Sequence, residues 1–320
     1  YGADGVRVGI MLSSSAGNDL LFDEELMVQG RNFATKIWNA YRLIQGWEII
    51  EKPANSTDIL TMEWFANQLD KTMVEIQSQF EKFRISDALH LVYKLIWDDF
   101  CAWYLEAIKP NYGEGISKEV HKKTISFFEE LMKLLHPFMP FLTEELWQNI
   151  ANRNIEDALM ISQQKAIDNF DELVLENFDF AKEIISGIRN YRQSKGISPR
   201  EEIEIFTNVS HLENCSLIEK LGNVSQISFN QKTDKPSYSF LVGAVEIAIP
   251  LSEKLDLEEE KKKTTEEISY LQGFLISVDK KLSNEKFVAN AKPEIVDNER
   301  KKQKDAQEKI LLLQEKLKSL

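Results

Sequence analysis

Cysteine is nearly absent from the sequence: 320 residues contain only Cys101 and Cys215, far apart. This number and spacing cannot build a cysteine-rich zinc module or a disulfide framework, so we expect a reducing, cytoplasmic location. No apolar run approaches the roughly 18 residues of a membrane span, and no basic-then-apolar leader opens the chain. We therefore expect no membrane partner. The first residue is Tyr1 rather than Met, and we expect the chain to be a piece of a longer protein.

Glycine and proline are also scarce, with 13 and 8 residues, whereas 43% of the chain is hydrophobic. This composition predicts a folded, mostly helical protein with two or three domains. The formal charge of −13 works against a general affinity for nucleic acid, because it repels phosphate. A local basic surface remains compatible with it. Residues 251–320 contain as many basic as acidic side chains, so they repel a polyanion least.

Residues that could carry catalysis are not grouped along the chain. The histidines have no metal-ligand spacing to a Cys, Asp or Glu, so we expect no metal site. They are His90, His121, His136 and His211. Asp98 and Asp99 are adjacent, but neighbouring helical positions point about 100° apart and cannot easily share a substrate atom. We expect one of them to pair with an arginine such as Arg84, and we expect no catalytic residue in this chain.

Periodicity divides the chain into four parts. Residues 1–22 predict a short buried helix followed by a polar loop. Residues 23–200 carry five amphipathic helices joined by short loops, which predicts a helical bundle. Residues 201–250 change to a period of two and predict a small α/β module. Residues 251–320 contain two heptad runs joined by a turn around Asn290 and Pro293, which predicts an antiparallel coiled-coil hairpin. The expected fold class is mainly α.

The segment QGRNFATKIWNAYRLI, residues 29–44, predicts a helix with two different faces. Its apolar residues form one face, and Arg31, Trp38 and Arg42 lie almost opposite. Three further polar residues flank this second face: Asn32, Lys36 and Asn39. Cations, amides and an indole together suit contacts with a ribose-phosphate backbone and its bases. The alternative is a solvated helix side with Trp38 covered by a neighbouring helix.

Basic residues cluster again at three other places, two of which also contain an aromatic residue. The segment FEKFR contains Lys82, Phe83 and Arg84. The segment IRNYRQSKG contains Arg189, Tyr191, Arg192 and Lys195. The hairpin is basic on both limbs near its predicted tip, at Lys280, Lys281, Lys286, Arg300, Lys301, Lys302 and Lys304. Charge runs on coiled coils are usually solvated faces. Here both limbs become basic at the same end, as an arm that binds phosphates would require.

Several segments, in this order, resemble the C-terminal part of bacterial valyl-tRNA synthetases. They are GADGVRVGIMLSSSAGNDLLFDEELMVQGRNFATKIWNAYRLI, FEKFRISDALHLVYKLIWDDFCAWYLE, LLHPFMPFLTEELW, IRNYRQSKGISP and KKLSNEKFVANAKPEIVDNERKK. The resemblance spans essentially the whole chain. The bundle motifs alone would also fit isoleucyl and leucyl enzymes. The terminal hairpin together with GRNFATKIWNA narrows the resemblance to the valyl enzymes. Isoleucyl enzymes commonly end in a cysteine-rich zinc module, which two distant cysteines cannot form.

The resemblance implies an anticodon-binding bundle at 23–200, a small α/β junction at 201–250 and a tRNA-binding coiled-coil arm at 251–320. Residues 1–22 would connect the bundle to an absent catalytic domain with the HIGH and KMSKS motifs. The parent enzyme would be a monomeric ligase that attaches valine to its tRNA with ATP and magnesium and that edits mischarged threonine. This segment would hold no cofactor. Its basic and aromatic clusters would bind the anticodon and the elbow of the valine tRNA. The residues Arg31, Trp38 and Arg42 would face either the RNA or the seam that joins the bundle to the catalytic body.

Two alternatives remain open from the residues alone. One is the same segment of an isoleucyl- or leucyl-tRNA synthetase. The other is a helical scaffold whose hairpin binds a protein partner, because heptads with polar seam positions on an acidic body fit that role as well.

Overall fold

A computed structural model describes residues 1–13, 23–154, 156–167, 169–251, 257–283 and 293–319. The predicted turn residue Asn290 and the candidate site residue Lys286 lie outside these ranges. The chain divides into two compact units, the first made of residues 1–182 and 213–221 and the second of residues 183–212 and 222–320. Among the described helices, none is long and apolar enough to cross a membrane.

Helices α1 (Ala3–Ser13) and α2 (Glu24–Gln45) pack backbone against backbone at the start of the first unit. A Cβ atom on Gly30 would overlap the carbonyl oxygen of Gly5, so the two helices approach this closely only because neither residue carries a side chain. The Asp23 carboxylate accepts a hydrogen bond from the amide of the second helical residue of α2, which caps the N-terminus of the helix.

The bundle predicted from the amphipathic pattern is confirmed. It continues with α3 (Ser56–Glu81), α4 (Ile85–Lys94), a π-helical stretch (Leu95–Tyr104), α5 (Leu105–Ile108), α6 (Lys118–Leu135), α7 (Pro140–Ile150) and α8 (Glu172–Lys195). Short strands β1 (Ile49–Ile50) and β2 (Ile116–Ser117) pair in parallel beside these helices. Asn55 and Asp58 form a reciprocal capping box at the start of α3, which satisfies two amides that the helix leaves unpaired.

Aromatic side chains fill the centre of the first unit. Trp64 stacks on Phe178 with 3.9 Å between ring centroids, and Phe65 lies 4.9 Å from the ring of Tyr104. All four rings are almost fully buried. Burial of such large apolar surfaces is the main source of stability for a bundle.

The predicted pairing of Asp98 or Asp99 with Arg84 was wrong. Asp99 is buried and lies 3.4 Å from the ammonium nitrogen of Lys182 in α8. Fifteen residues of continuous helix separate Asp99 from Arg84, which is about 22 Å at 1.5 Å per residue. The Lys182 ammonium also lies 4.6 Å from the centre of the Trp64 ring, so one cation pairs with the buried carboxylate and contacts the aromatic core.

The second unit contains a four-stranded sheet in the order β4-β3-β6-β5. Its strands are β3 (Ile203–Thr207), β4 (Val224–Phe229), β5 (Ser237–Val242) and β6 (Val245–Pro250). Strands β3 and β4 run parallel, and helix α9 (Cys215–Gly222) lies between them in sequence. The other two pairs are antiparallel. The C-terminal half of α8 packs on this sheet, with the rings of Tyr191 and Tyr238 centred 5.0 Å apart.

Helices α10 (Leu257–Leu282) and α11 (Pro293–Ser319) form the predicted hairpin. Their ion pairs run in opposite order along the chain, from Lys281 with Glu299 to Glu267 with Lys309, which requires antiparallel helices. Several of the heptad positions are buried, among them Ile268, Val278, Val296, Ala306 and Ile310. Two polar seam positions, Thr264 and Glu299, are buried as well.

Candidate nucleic-acid interface

The face of α2 opposite the core is solvent-exposed. Its exposed side chains are Arg31, Asn32, Trp38, Asn39 and Arg42, and we call them the α2 surface. Within the described ranges neither arginine forms an ion pair with a carboxylate, so both guanidinium groups can bind an anion. The Trp38 side chain is 39% exposed and rests on Tyr41, with 5.7 Å between ring centroids. The half-exposed indole therefore presents part of its surface to solvent beside two cations.

Lys36 lies apart from the α2 surface. It is half-buried, and its ammonium nitrogen lies 5.4 Å from the centre of the Trp97 ring. This cation–π contact holds the side chain against the bundle. We therefore expect Lys36 to contribute positive potential to the region rather than a direct hydrogen bond.

The end of the bundle where α2 stops carries two exposed apolar residues that the sequence analysis missed. Ile49 in β1 is 50% exposed, and Tyr112, in the loop before β2, is fully exposed. Pairing of β1 with β2 places Ile49 directly beside Ile116, so the loop and the end of α2 lie at the same end of the bundle. An aromatic residue in the polar segment NYGEG is the sequence feature that could have identified this site.

The junction between α3 and α4 exposes all three residues of its predicted cluster. Lys82, Phe83 and Arg84 are each exposed, and the Phe83 side chain is 85% exposed. Arg84 is the N-cap residue of α4 but makes no side-chain capping bond. The junction thus presents an aromatic ring between two cations.

The cluster on α8 is only partly a surface feature of the second unit. Tyr191 and Arg192 are 1% and 5% exposed. The Arg192 guanidinium donates hydrogen bonds to the carbonyl oxygens of Ser198, Gly222 and Asn223 at 2.9, 3.1 and 3.1 Å. We therefore assign these two side chains a structural role in place of the tRNA contact predicted from sequence. Arg189 is exposed and Lys195 is half-buried, so they are the members of this cluster that reach the surface.

The candidate tRNA-binding cations of the hairpin that the structure describes fall into two sets. In the first, Lys281 and Lys302 lie 3.5 and 2.8 Å from the carboxylate of Glu299, and they hold the pKa of that carboxyl below its usual value. Lys304 lies 3.8 Å from Glu308. The second set forms no ion pair within the described part of the hairpin, and it comprises Lys280, Arg300 and Lys301. The second set is therefore available to contact an external anion.

Metal-ligand clusters are absent from the described ranges: no three or more His, Cys, Asp or Glu side chains are arranged to hold a metal ion there. Two of the histidines contact residues of neighbouring helices. The imidazole of His136 lies 2.8 Å from the hydroxyl of Thr143, and that of His121 donates to the carbonyl oxygen of Ile44 at 3.2 Å. Both contacts lie near helix ends, at Ile44 in α2 and at His136 after α6.

Comparisons with known proteins identify two regions of the chain. Residues 62–207 match the family model of the anticodon-binding domain of tRNA ligase, and residues 256–320 match that of the valyl tRNA synthetase tRNA binding arm. Over its whole length the chain is 48% identical to the valine–tRNA ligases of Christiangramia forsetii and Phocaeicola vulgatus, and it covers 37% of each. It is 34% identical to the valine–tRNA ligase of Fusobacterium nucleatum, of which it covers 38%. The chain thus spans less than two fifths of the length of these relatives.

Proposed function

The chain belongs to the valyl-tRNA synthetase family, of whose members it spans about 37%, and from this premise we propose that it binds the valine tRNA. The helical bundle binds the anticodon, and the coiled-coil arm binds the elbow. The parent enzyme attaches valine to this tRNA with ATP and magnesium and edits mischarged threonine. Those reactions belong to catalytic and editing domains that lie outside this chain. We further propose that the parent enzyme is a cytoplasmic monomer.

The proposal is supported by the agreement between the families that the chain matches and the cations on its surface. The two matched families are an anticodon-binding domain and a tRNA-binding arm, and both the bundle and the hairpin present cations that form no ion pair among the residues that the structure describes. A chain with a formal charge of −13 repels RNA as a whole, so binding requires such local basic surfaces. The acidic body then disfavours docking in any other orientation.

On the bundle, the α2 surface offers the two kinds of contact that an anticodon loop requires. Its guanidinium and amide groups reach phosphate and 2′-hydroxyl oxygens, and an exposed indole stacks on an unpaired base. Arg31 and Arg42 are 11 residues apart on one helix, about 16 Å at 1.5 Å per residue. That separation spans several nucleotides of a loop.

On the described part of the arm, the candidate cations without an ion pair include Lys280, Arg300 and Lys301. Phosphate contacts fix the position of the RNA but carry no sequence information. The arm therefore contributes affinity for the folded shape of the tRNA, whereas the bundle supplies discrimination among anticodons.

The match of residues 256–320 to a valyl arm favours the valine tRNA over the isoleucine and leucine tRNAs. Titration of this chain with the three tRNAs by filter binding tests the choice. We expect the tightest binding for the valine tRNA. Equal affinity for all three would refute the anticodon assignment, and the absence of any complex would favour a protein-binding scaffold.

A further inference from the structure

Phe83 combines two unfavourable features. Its side chain is 85% exposed, and its backbone is in the left-handed region with φ of 57°. The other non-glycine residues with positive φ in the described ranges are all asparagines: Asn214, Asn223 and Asn230. Asparagine tolerates this conformation because its short polar side chain bonds locally. A phenylalanine there is an outlier that local structure alone does not explain.

The strain arises because Phe83 occupies the position after a helix where glycine normally stands. Its amide donates to the carbonyl oxygen of Phe80 at 3.0 Å, and the Arg84 amide donates to that of Gln79 at 2.9 Å. This pair of hydrogen bonds is the Schellman ending of a helix, whose left-handed residue is usually Gly. Glycine would remove the strain and also the exposed ring. The residue at this position therefore costs backbone strain, and its exposed ring contributes little burial in return.

The surroundings of the ring indicate what it binds. Lys82 and Arg84 are exposed on either side of Phe83, and neither forms an ion pair within the described ranges. Glu81, the adjacent carboxylate, accepts a hydrogen bond from the Gln77 amide at 3.2 Å. A protein-docking site excludes charged residues from its centre. A ring between two cations instead matches the single-stranded RNA backbone, where a base lies between two phosphates.

We propose that Phe83 is a stacking platform for one unpaired nucleobase of the bound RNA, with Lys82 and Arg84 contacting the flanking phosphates. This inference rests on the proposed tRNA binding and adds a second contact region on the bundle, separate from the α2 surface. Stacking accepts any base, because every base has a π face. Phe83 therefore contributes affinity and not sequence preference.

Replacement of Phe83 by glycine separates this role from a structural one. Phe83→Gly relieves the backbone strain, so the midpoint of urea denaturation is expected to rise. The Kd for a valine tRNA transcript is expected to increase about 5- to 100-fold, the range for loss of one base–aromatic stack. Phe83→Tyr keeps a ring and is expected to bind within about twofold of the unchanged chain. Leu173→Ala removes another exposed apolar side chain, 62% exposed on α8, and is the matched control for both measurements.

Chemical probing of the tRNA identifies the stacked nucleotide. One base is expected to be protected by the unchanged chain and reactive with Phe83→Gly. If the unchanged chain binds the tRNA and Phe83→Gly binds equally well, this inference fails and the proposed function stands. If Phe83→Gly unfolds at lower urea concentration, the ring is structural and the inference also fails. If the unchanged chain does not bind the tRNA, both proposals fail.

Discussion

The division of the arm cations into paired and unpaired sets predicts which of them bind RNA. The unpaired set comprises Lys280, Arg300 and Lys301. Exchanging all three for glutamine should remove their phosphate contacts. Each phosphate contact contributes about 0.7 to 0.9 to the slope of log affinity against log salt. Loss of three contacts should reduce the magnitude of that slope by about 2 to 3. At 0.1 M salt the same loss corresponds to roughly a hundredfold weaker binding.

The matched control exchanges Lys281 and Lys302, which lie 3.5 and 2.8 Å from Glu299. This double change should lower the slope less than the triple change does. It should also destabilise the hairpin, because Glu299 lies in the seam and loses both cations. Filter binding between 50 and 200 mM salt, with valine and leucine tRNAs, measures the slopes. The triple change should weaken the binding of both tRNAs by the same factor. An unchanged slope for the triple variant, or an equal drop for the control, would refute the assignment.

Three further predictions concern buried groups. Arg192→Lys should destabilise the second unit by about 2–4 kcal/mol in urea denaturation, because lysine cannot donate to three carbonyls in the guanidinium geometry; a change below about 0.5 kcal/mol would contradict this. Burial raises the pKa of the Cys101 thiol to about 12, so at pH 8 it should react with a thiol reagent only after unfolding, and rapid labelling of the native chain would disprove it. Lys182→Met should cost about 3–5 kcal/mol, because it leaves buried Asp99 without its cation. Adding Asp99→Asn should restore part of this loss, and equal losses in the single and double variants would count against the pairing.

Helix limits and the hairpin could be predicted because their causes are local in sequence. Asp23 precedes the first apolar turn of α2 and caps it. The heptad spacing of α10 and α11 identifies the seam, and Val278 and Val296 are buried in it. A cap or a heptad depends on residues within a few positions of each other, so one sequence is sufficient to find it.

Contacts between side chains that are far apart in sequence could not be predicted. Asp99 pairs with Lys182, 83 residues away, because the packing of α8 and not the charge pattern decides which cation reaches it. The exposure of Trp38 depends in the same way on tertiary packing. For Arg192, however, the sequence contains a usable indication. It lies four residues after the buried Ile188, so helical periodicity places it on the buried face.

The backbone conformation of Phe83 could not be predicted for a different reason. Its left-handed conformation contradicts the preference of the residue, so propensity would place glycine there. Such conflicts between local preference and structure concentrate at functional sites. The cluster of Lys82, Phe83 and Arg84 was visible in the sequence, but the strain that distinguishes it from an ordinary solvated junction required the structure.

Binding of the valine tRNA and of the same tRNA with an exchanged anticodon, each at two salt concentrations, tests the central claim most directly. We predict tighter binding of the valine tRNA at both concentrations, with both affinities falling as salt increases because phosphate contacts release counterions. Equal affinity for the two tRNAs, or an affinity independent of salt, would contradict the claim that this chain contacts the anticodon and the backbone phosphates of the tRNA.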